Sequence, residues 1–161
     1  MKPLVLTLAL VGLVAGAASA QEAVYLVRHA ERQDASADSK LSAVGEARAK
    51  RLADWLDTAR ITHIYTSELV RTIQTAMPFA AATHLTPQRV PASDTQVLLG
   101  RVARLGPHDR ALIVGHSNTI PELIRGLGVR APVAIQDSEY DNIFIVVPRQ
   151  DAEPVLLRIK Y

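Results

Sequence analysis

The sequence predicts a three-layer α/β/α sandwich with a mainly parallel central sheet and an antiparallel edge strand. Short, almost continuous apolar runs of strand length alternate with segments whose apolar residues recur at helical spacing, the pattern of a sheet buried on both faces. The chain then closes on two strand-like runs, NIFIVVP and PVLLRIK, joined by the short RQDAE, as an antiparallel pair would be. No internal repeat, low-complexity stretch or long linker interrupts the pattern, so one domain accounts for it.

Residues 1–20 are read apart from that domain. MKP supplies a positive start, LVLTLALVGLVAGA an apolar core, and Ala18-Ser19-Ala20 a small-residue cleavage site, which together make a signal peptide. The alternative is a retained anchor, but the apolar stretch is short against the roughly 20 residues of a membrane span. The expected product is a domain over 21–161, periplasmic or secreted, with no membrane attachment after cleavage. That segment holds seventeen of the 18 Lys and Arg against all 16 Asp and Glu. So even a balance argues against a nucleic-acid partner, which calls for a concentrated basic patch. The chain has no cysteine, which excludes disulfides, thiolate metal sites and a lipid-modified N-terminal cysteine. Nothing in the pattern specifies an oligomer.

The elements follow in order. AVYLV (residues 23–27) is the first strand. A polar loop, ERQDASADSK, leads to a helix capped by Ser42, with Ala49, Leu52, Ala53 and Leu56 at helical spacing. ITHIYT (61–66) is the second strand. Leu69, Ile73, Ala76, Met77 and Ala80 then define one helix face, and Pro78 is expected to kink or end that helix. HLTPQRV reads as a short edge strand, because Pro87 would interrupt a central ladder. Leu98, Val102 and Leu105 mark a third helix. ALIVGH (111–116) is the most strand-like run, and SNTIPELIRGLG after it is a helix with Pro121 in its first turn and Ile120, Leu123, Ile124 and Leu127 on one face.

Ligands of open α/β sheets bind beyond the C-terminal ends of the strands, and three strands here end in charge or in histidine. The first delivers Arg28 and His29. The second delivers Ser67 and Glu68, with Arg71 one helical turn on. ALIVGH delivers His116 and then Ser117 onto a helix start. Two arginines and two histidines over one sheet edge suit a phosphoryl group, since guanidinium forks bind its oxygens and stay charged, and helix N–H groups add donors. His63 within a strand, His84 near an edge and His108 in a turn are read as structural. No H-x-x-x-H, H-x-H or carboxylate cluster at ligand spacing supports a metal, and no cofactor is called for.

The blocks LVRHAE, IYTSELVRTIQTA and LIVGHSNT resemble the three signature blocks of the histidine phosphatase, or phosphoglycerate mutase-like, superfamily, in its compact branch 1. The resemblance runs from about Val24 to Asn118. It implies a phosphorylated nucleophile at His29, a phosphate pocket of Arg28, Arg71 and His116, and a small phosphorylated substrate, with no metal. Ser117 joins the phosphate-binding residues through the helix start. A neutral imidazole is a competent nucleophile, and nearby guanidinium groups disfavour its protonated form. The expected chemistry is attack by His29 on phosphorus, loss of the alcohol, and hydrolysis of the phosphohistidine. Thr66 and Ser67 lend hydroxyls, or Ser67 is a helix N-cap.

One role is thinly filled. The family commonly places a glutamate between the Arg71 block and the second histidine, but Thr72 to Gly115 holds only Asp94 and Asp109 as acids. Asp94 is named as proton donor, with helix capping as its alternative. Glu31 is the other candidate, unless it pairs with Arg28 or Arg32. If neither serves, phosphoamidates or acyl phosphates, whose leaving groups need less protonation, become the favoured substrates. The competing functions are a phosphomutase and a non-catalytic module that binds phosphoryl ligands of the cell envelope.

Overall fold

The computed structural model describes residues 21–161; the expected signal peptide lies outside them. The element order is β1 (Ala23–Arg28), α1 (Ala43–Leu56), β2 (His63–Thr66), α2 (Val70–Thr83), β3 (Gln88–Arg89), α3 (Thr95–Val102), β4 (Arg110–Gly115), α4 (Thr119–Gly126), β5 (Asn142–Arg149) and β6 (Ala152–Lys160). They build one six-stranded sheet in the order β3-β2-β4-β1-β5-β6. The first four strands are mutually parallel, while β5 runs antiparallel to β1 and β6 antiparallel to β5. The expected α/β sandwich is therefore present, with two antiparallel strands at one side. Among the described residues no helix is long and apolar enough to cross a membrane.

Period-two alternation along the strands feeds two separate cores. Val24, Leu26, Tyr65 and Ile113 pack with Leu98, Ile120, Leu123 and Ile124 beneath α3 and α4. Val27, Ile64, Leu112 and Val114 point the other way, onto Leu52, Leu56, Ala76 and Phe79 of α1 and α2. Ser42 caps α1, its hydroxyl accepting from the Gly45 N–H at 3.1 Å. Gly45 also lets the helix start lie against the backbone of Glu31, where a Cβ would come within 2.3 Å of the carbonyl oxygen. The segment after β1 is thereby pressed onto α1.

Helix α2 departs from expectation in two ways. It continues past Pro78 to Thr83 and stops at His84, whose left-handed backbone ends it. Its buried face is Thr72, Thr75, Ala76, Phe79 and Ala80, rotated from the face predicted by Leu69, Ile73 and Met77; Met77 is 47% exposed. The two threonines explain the rotation. The Thr75 hydroxyl accepts from the Ala30 N–H at 2.9 Å and donates to the Arg71 carbonyl, so hydroxyls on this face anchor the chain leaving β1. Leu105 and Leu127 likewise fall just beyond α3 and α4 rather than within them.

Candidate functional site

The order β2-β4-β1 sets the C-terminal ends of three parallel strands side by side. Arg28 is the last residue of β1 and lies opposite Gly115 of β4, while Thr66 of β2 lies opposite Val114. The His29 N–H donates to the Gly115 carbonyl at 2.9 Å, which brings the residues after β1 and β4 together. The rings of His29 and His116 sit 5.3 Å apart, edge to face. Arg28, His29, Arg71, His116 and Ser117 all line one cavity of about 380 Å³, within the usual size of small-molecule sites, roughly 300–1,000 Å³.

Arg28 is buried, and its charge is met in an unusual way. One terminal nitrogen donates to the backbone carbonyls of Gln136 and Asp137, both at 3.0 Å, and of Glu139 at 3.3 Å. The other reaches the Tyr140 hydroxyl at 3.4 Å, and the Tyr140 ring lies 4.2 Å from the guanidinium carbon, a cation–π contact. Arg71 donates to the Ala37 carbonyl at 2.8 Å. The Nε atoms of both arginines are buried without a partner. An unmet buried donor is costly.

The two imidazoles are buried and held neutral. Burial first, then the charges of His116, Arg71 and Arg28, lower the His29 pKa to about 3 against an opposing hydrogen bond to Ala30. His116 is lowered to about 4, again by burial and then Arg71, with Glu68 opposing. His29 Nδ1 lies 2.8 Å from the Ala30 carbonyl oxygen. A carbonyl only accepts, so Nδ1 carries the hydrogen and Nε2 keeps its lone pair. His116 Nε2 is 3.0 Å from the Ser67 hydroxyl, which is 2.9 Å from the Thr72 hydroxyl. Thr72 in turn donates to the Leu69 carbonyl at 2.8 Å. Ser67 does not cap α2; the cap position is Leu69, whose N–H donates to the Ser67 hydroxyl at 3.3 Å.

The acid candidates fare differently. Glu31 is gripped by Arg48 of α1, whose Nε lies 2.8 and 2.9 Å from its two oxygens and whose NH2 lies 2.6 Å from one of them. That fork outweighs burial and holds its carboxyl below the usual range, which disfavours it as a proton donor; its partner is neither Arg28 nor Arg32. Asp94 is exposed, stands at the cap position of α3 without a capping hydrogen bond, and lines a separate small cavity shared with Ser67 and His116. The carboxyl residue on the main cavity is Asp137. It escaped the sequence reading because its loop, 131–140, carries no periodic signal. Arg32 lines the cavity as well; its place in RHAER was the available signal. His63 approaches the Asp109 carboxylate at 3.6 Å, far along the sheet edge from these groups. Among the described residues no three of His, Cys, Asp and Glu are grouped to hold a metal ion.

The depressed histidines set a pH dependence of stability. Unfolded, both imidazoles protonate near pH 6.5; folded, they resist until about pH 4 and below. Acid therefore favours the unfolded chain, and stability is lost as pH falls below about 6.5. Between pH 7 and 5, thermal melting of residues 21–161 should show a loss of about 4 kcal/mol, roughly 2 from each histidine. The loss should shrink in the double variant His29→Gln/His116→Gln.

Comparison with known proteins agrees with this geometry. The sequence model of the histidine phosphatase superfamily (branch 1) matches residues 24–92. That span carries Arg28, His29 and Arg71, and the fold brings His116 to them. A Proteus mirabilis protein named "Probable phosphoglycerate mutase GpmB" is 38% identical over 99 residues, 55% of this chain and 46% of that protein. A protein of the same name from an Enterobacter species is 46% identical over 66 residues, 37% of this chain and 31% of its own. The chain thus spans less than half the length of these curated relatives. Among solved structures, the protein histidine phosphatase SixA complexed with tungstate superposes with a TM-score of 0.71 at 16% identity, over 86% of this chain and 96% of that one. A mycobacterial glucosyl-3-phosphoglycerate phosphatase does so with a TM-score of 0.69 at 13% identity, over 87% and 98%. At such identities the likeness is one of fold, and over residues 24–92, less than half of the chain, the sequence is similar to the histidine phosphatase superfamily, branch 1.

Proposed function

We propose that the domain is a phosphatase that hydrolyses phosphomonoesters or phosphoamidates through a phosphohistidine on His29. The observation that carries this reading is the His29 tautomer: a neutral imidazole whose Nδ1 is occupied by the Ala30 carbonyl, with its Nε2 lone pair free, among two arginines and a second histidine. Nε2 attacks phosphorus, the phosphorus–oxygen or phosphorus–nitrogen bond to the leaving group breaks, and water then cleaves the nitrogen–phosphorus bond to release phosphate. Arg28, Arg71 and His116 neutralise the equatorial oxygens, with backbone donors from Ser117 and the start of α4 that follows it. Ser67 acts through His116. Export of the domain belongs to the same proposal and rests on the composition of residues 1–20.

Purified residues 21–161 should hydrolyse an aryl phosphate in the presence of chelator, and an acid quench should trap acid-labile phosphate on His29. His29→Ala should lower turnover by at least about 10³-fold. Inactivity against aryl, alkyl and amidate phosphates alike would instead support a phosphoryl-binding module. Isomerised phosphoester without inorganic phosphate would support the mutase chemistry in the name of the two relatives.

Leaving-group dependence tests the proton inventory. With Glu31 engaged by Arg48 and Asp94 on another cavity, neither sequence candidate is set to protonate the departing oxygen. A positioned acid contributes about 10²–10⁴-fold, so aryl phosphates should exceed alkyl phosphates in kcat/KM by at least about 10²-fold. Equal rates on both would reveal a working general acid.

A further inference from the structure

The segment between α4 and β5 contains no helix or strand, yet it supplies the three carbonyls and the aromatic ring that hold Arg28. A loop of that length needs outside anchors to keep one conformation. Val133 and Ile135 pack on the core beneath α3 and α4. Among the described residues, the side chains outside the loop that hydrogen-bond it are Arg28 and four on or just beyond β6: Glu153, Arg158, Lys160 and Tyr161. The polar anchors of the loop therefore come from the outermost strand of the sheet, two strands away from Arg28 itself.

Two of those contacts bear directly on the turn at Arg28. The Glu139 carboxylate is shared: Oε2 accepts from the Gln136 N–H at 2.8 Å, closing the turn, and Oε1 accepts from Arg158 at 2.6 Å. Arg158 is itself fixed. Its Nε donates to the buried Asn142 at 2.9 Å, and its guanidinium lies 5.3 Å from the centre of the Phe144 ring. Tyr161, partly buried, donates its hydroxyl to the Tyr140 carbonyl at 3.2 Å and its N–H to the Asp141 carbonyl at 3.1 Å. One line of contact thus runs from Arg158 through Glu139 to the carbonyls, and another from Tyr161 through Tyr140 to the guanidinium face. A half-exposed ion pair such as Glu139–Arg158, with side chains 22% and 43% exposed, adds little to stability by itself. Its consequence lies in geometry.

We propose that Arg158 and Tyr161 are positioning residues for Arg28: acting through Glu139 and Tyr140 from the edge of the sheet, they set its guanidinium where it meets the phosphoryl group. The catalytic consequence rests on the phosphatase reading; the positioning does not. Nitrogen NMR of the Arg28 guanidinium reads the position without turnover, because carbonyl acceptors on one terminal nitrogen slow its rotation. The wild type should give a resolved signal for that group. Arg158→Met should broaden it, Tyr161→Phe should do so more weakly, and Glu139→Gln should repeat the Arg158 effect without adding to it in the double variant. Inorganic phosphate, titrated calorimetrically, should bind Arg158→Met about 10-fold more weakly, and KM for an aryl phosphate should rise by a similar factor with kcat less affected. The melting temperature should move little, and Arg158→Lys should recover part of the loss. Glu22→Gln, which breaks the Arg110 pair at the opposite end of the sheet, should change neither the signal nor the affinity. If no aryl phosphate turns over, the phosphatase reading fails, while the Arg28 signal and the phosphate affinity still decide the role of Arg158. An Arg28 signal equally sharp in wild type and Arg158→Met, or a guanidinium that rotates freely in both, overturns the inference.

Discussion

A guanidinium buried at the end of a central strand cannot shed its charge, and the site is organised around that constraint. Arg28 ends β1 with the sheet on one side and the cavity on the other. Water does not reach it freely, so protein oxygens must answer its donors. The turn at Gln136–Glu139 does this with three carbonyls, and Tyr140 covers the ring face. Because that turn leads directly into β5, the antiparallel strand beside β1 delivers the same oxygens each time the chain folds. What the protein leaves unanswered is the Arg28 Nε, together with that of Arg71. The fold thus stabilises the cation enough to keep it in place while leaving that donor unmet.

The neutral histidines follow from burial first and from the cations second. An imidazole placed between buried guanidinium groups loses less by remaining neutral than by adding a third positive charge. Neutrality is what a nitrogen nucleophile requires, and hydrogen-bonding Nδ1 to the Ala30 carbonyl decides which nitrogen is free. His116 Nε2 meets the Ser67–Thr72 hydroxyl pair. The threonines of α2 therefore have two tasks: they replace apolar contacts on the buried face of the helix, and they set the positions of Ala30 and Ser67. Cores near reactive groups commonly accept such exchanges of packing for hydrogen bonding.

That exchange also explains which parts were legible in the sequence. Strand ends were readable because β1 and β4 are apolar runs that stop abruptly at Arg28-His29 and at His116, and a parallel sheet gathers such ends on one edge. The face of α2 was misread because hydrophobic periodicity gives weight to Leu69, Ile73 and Met77 and none to Thr72 or Thr75, whose burial depends on partners from distant segments. Pro78 was expected to kink or end a helix that runs on to Thr83. The anchoring of Arg28 was invisible, since backbone carbonyls of Gln136, Asp137 and Glu139 have no side-chain signature. Glu31 and Arg48 sit 17 residues apart and meet only because α1 folds back over the segment after β1, so the ion pair could not be read from local spacing.

The central claim is that His29 stays neutral, with its hydrogen on Nδ1, amid fixed cations. Nitrogen NMR of the two imidazoles during a pH titration of residues 21–161 measures this directly. The account predicts that His29 keeps one tautomer, protonated at Nδ1 and bare at Nε2, with no titration between pH 8 and 5. An imidazole at position 29 that titrates near 6.5, or that carries its hydrogen on Nε2, would contradict it.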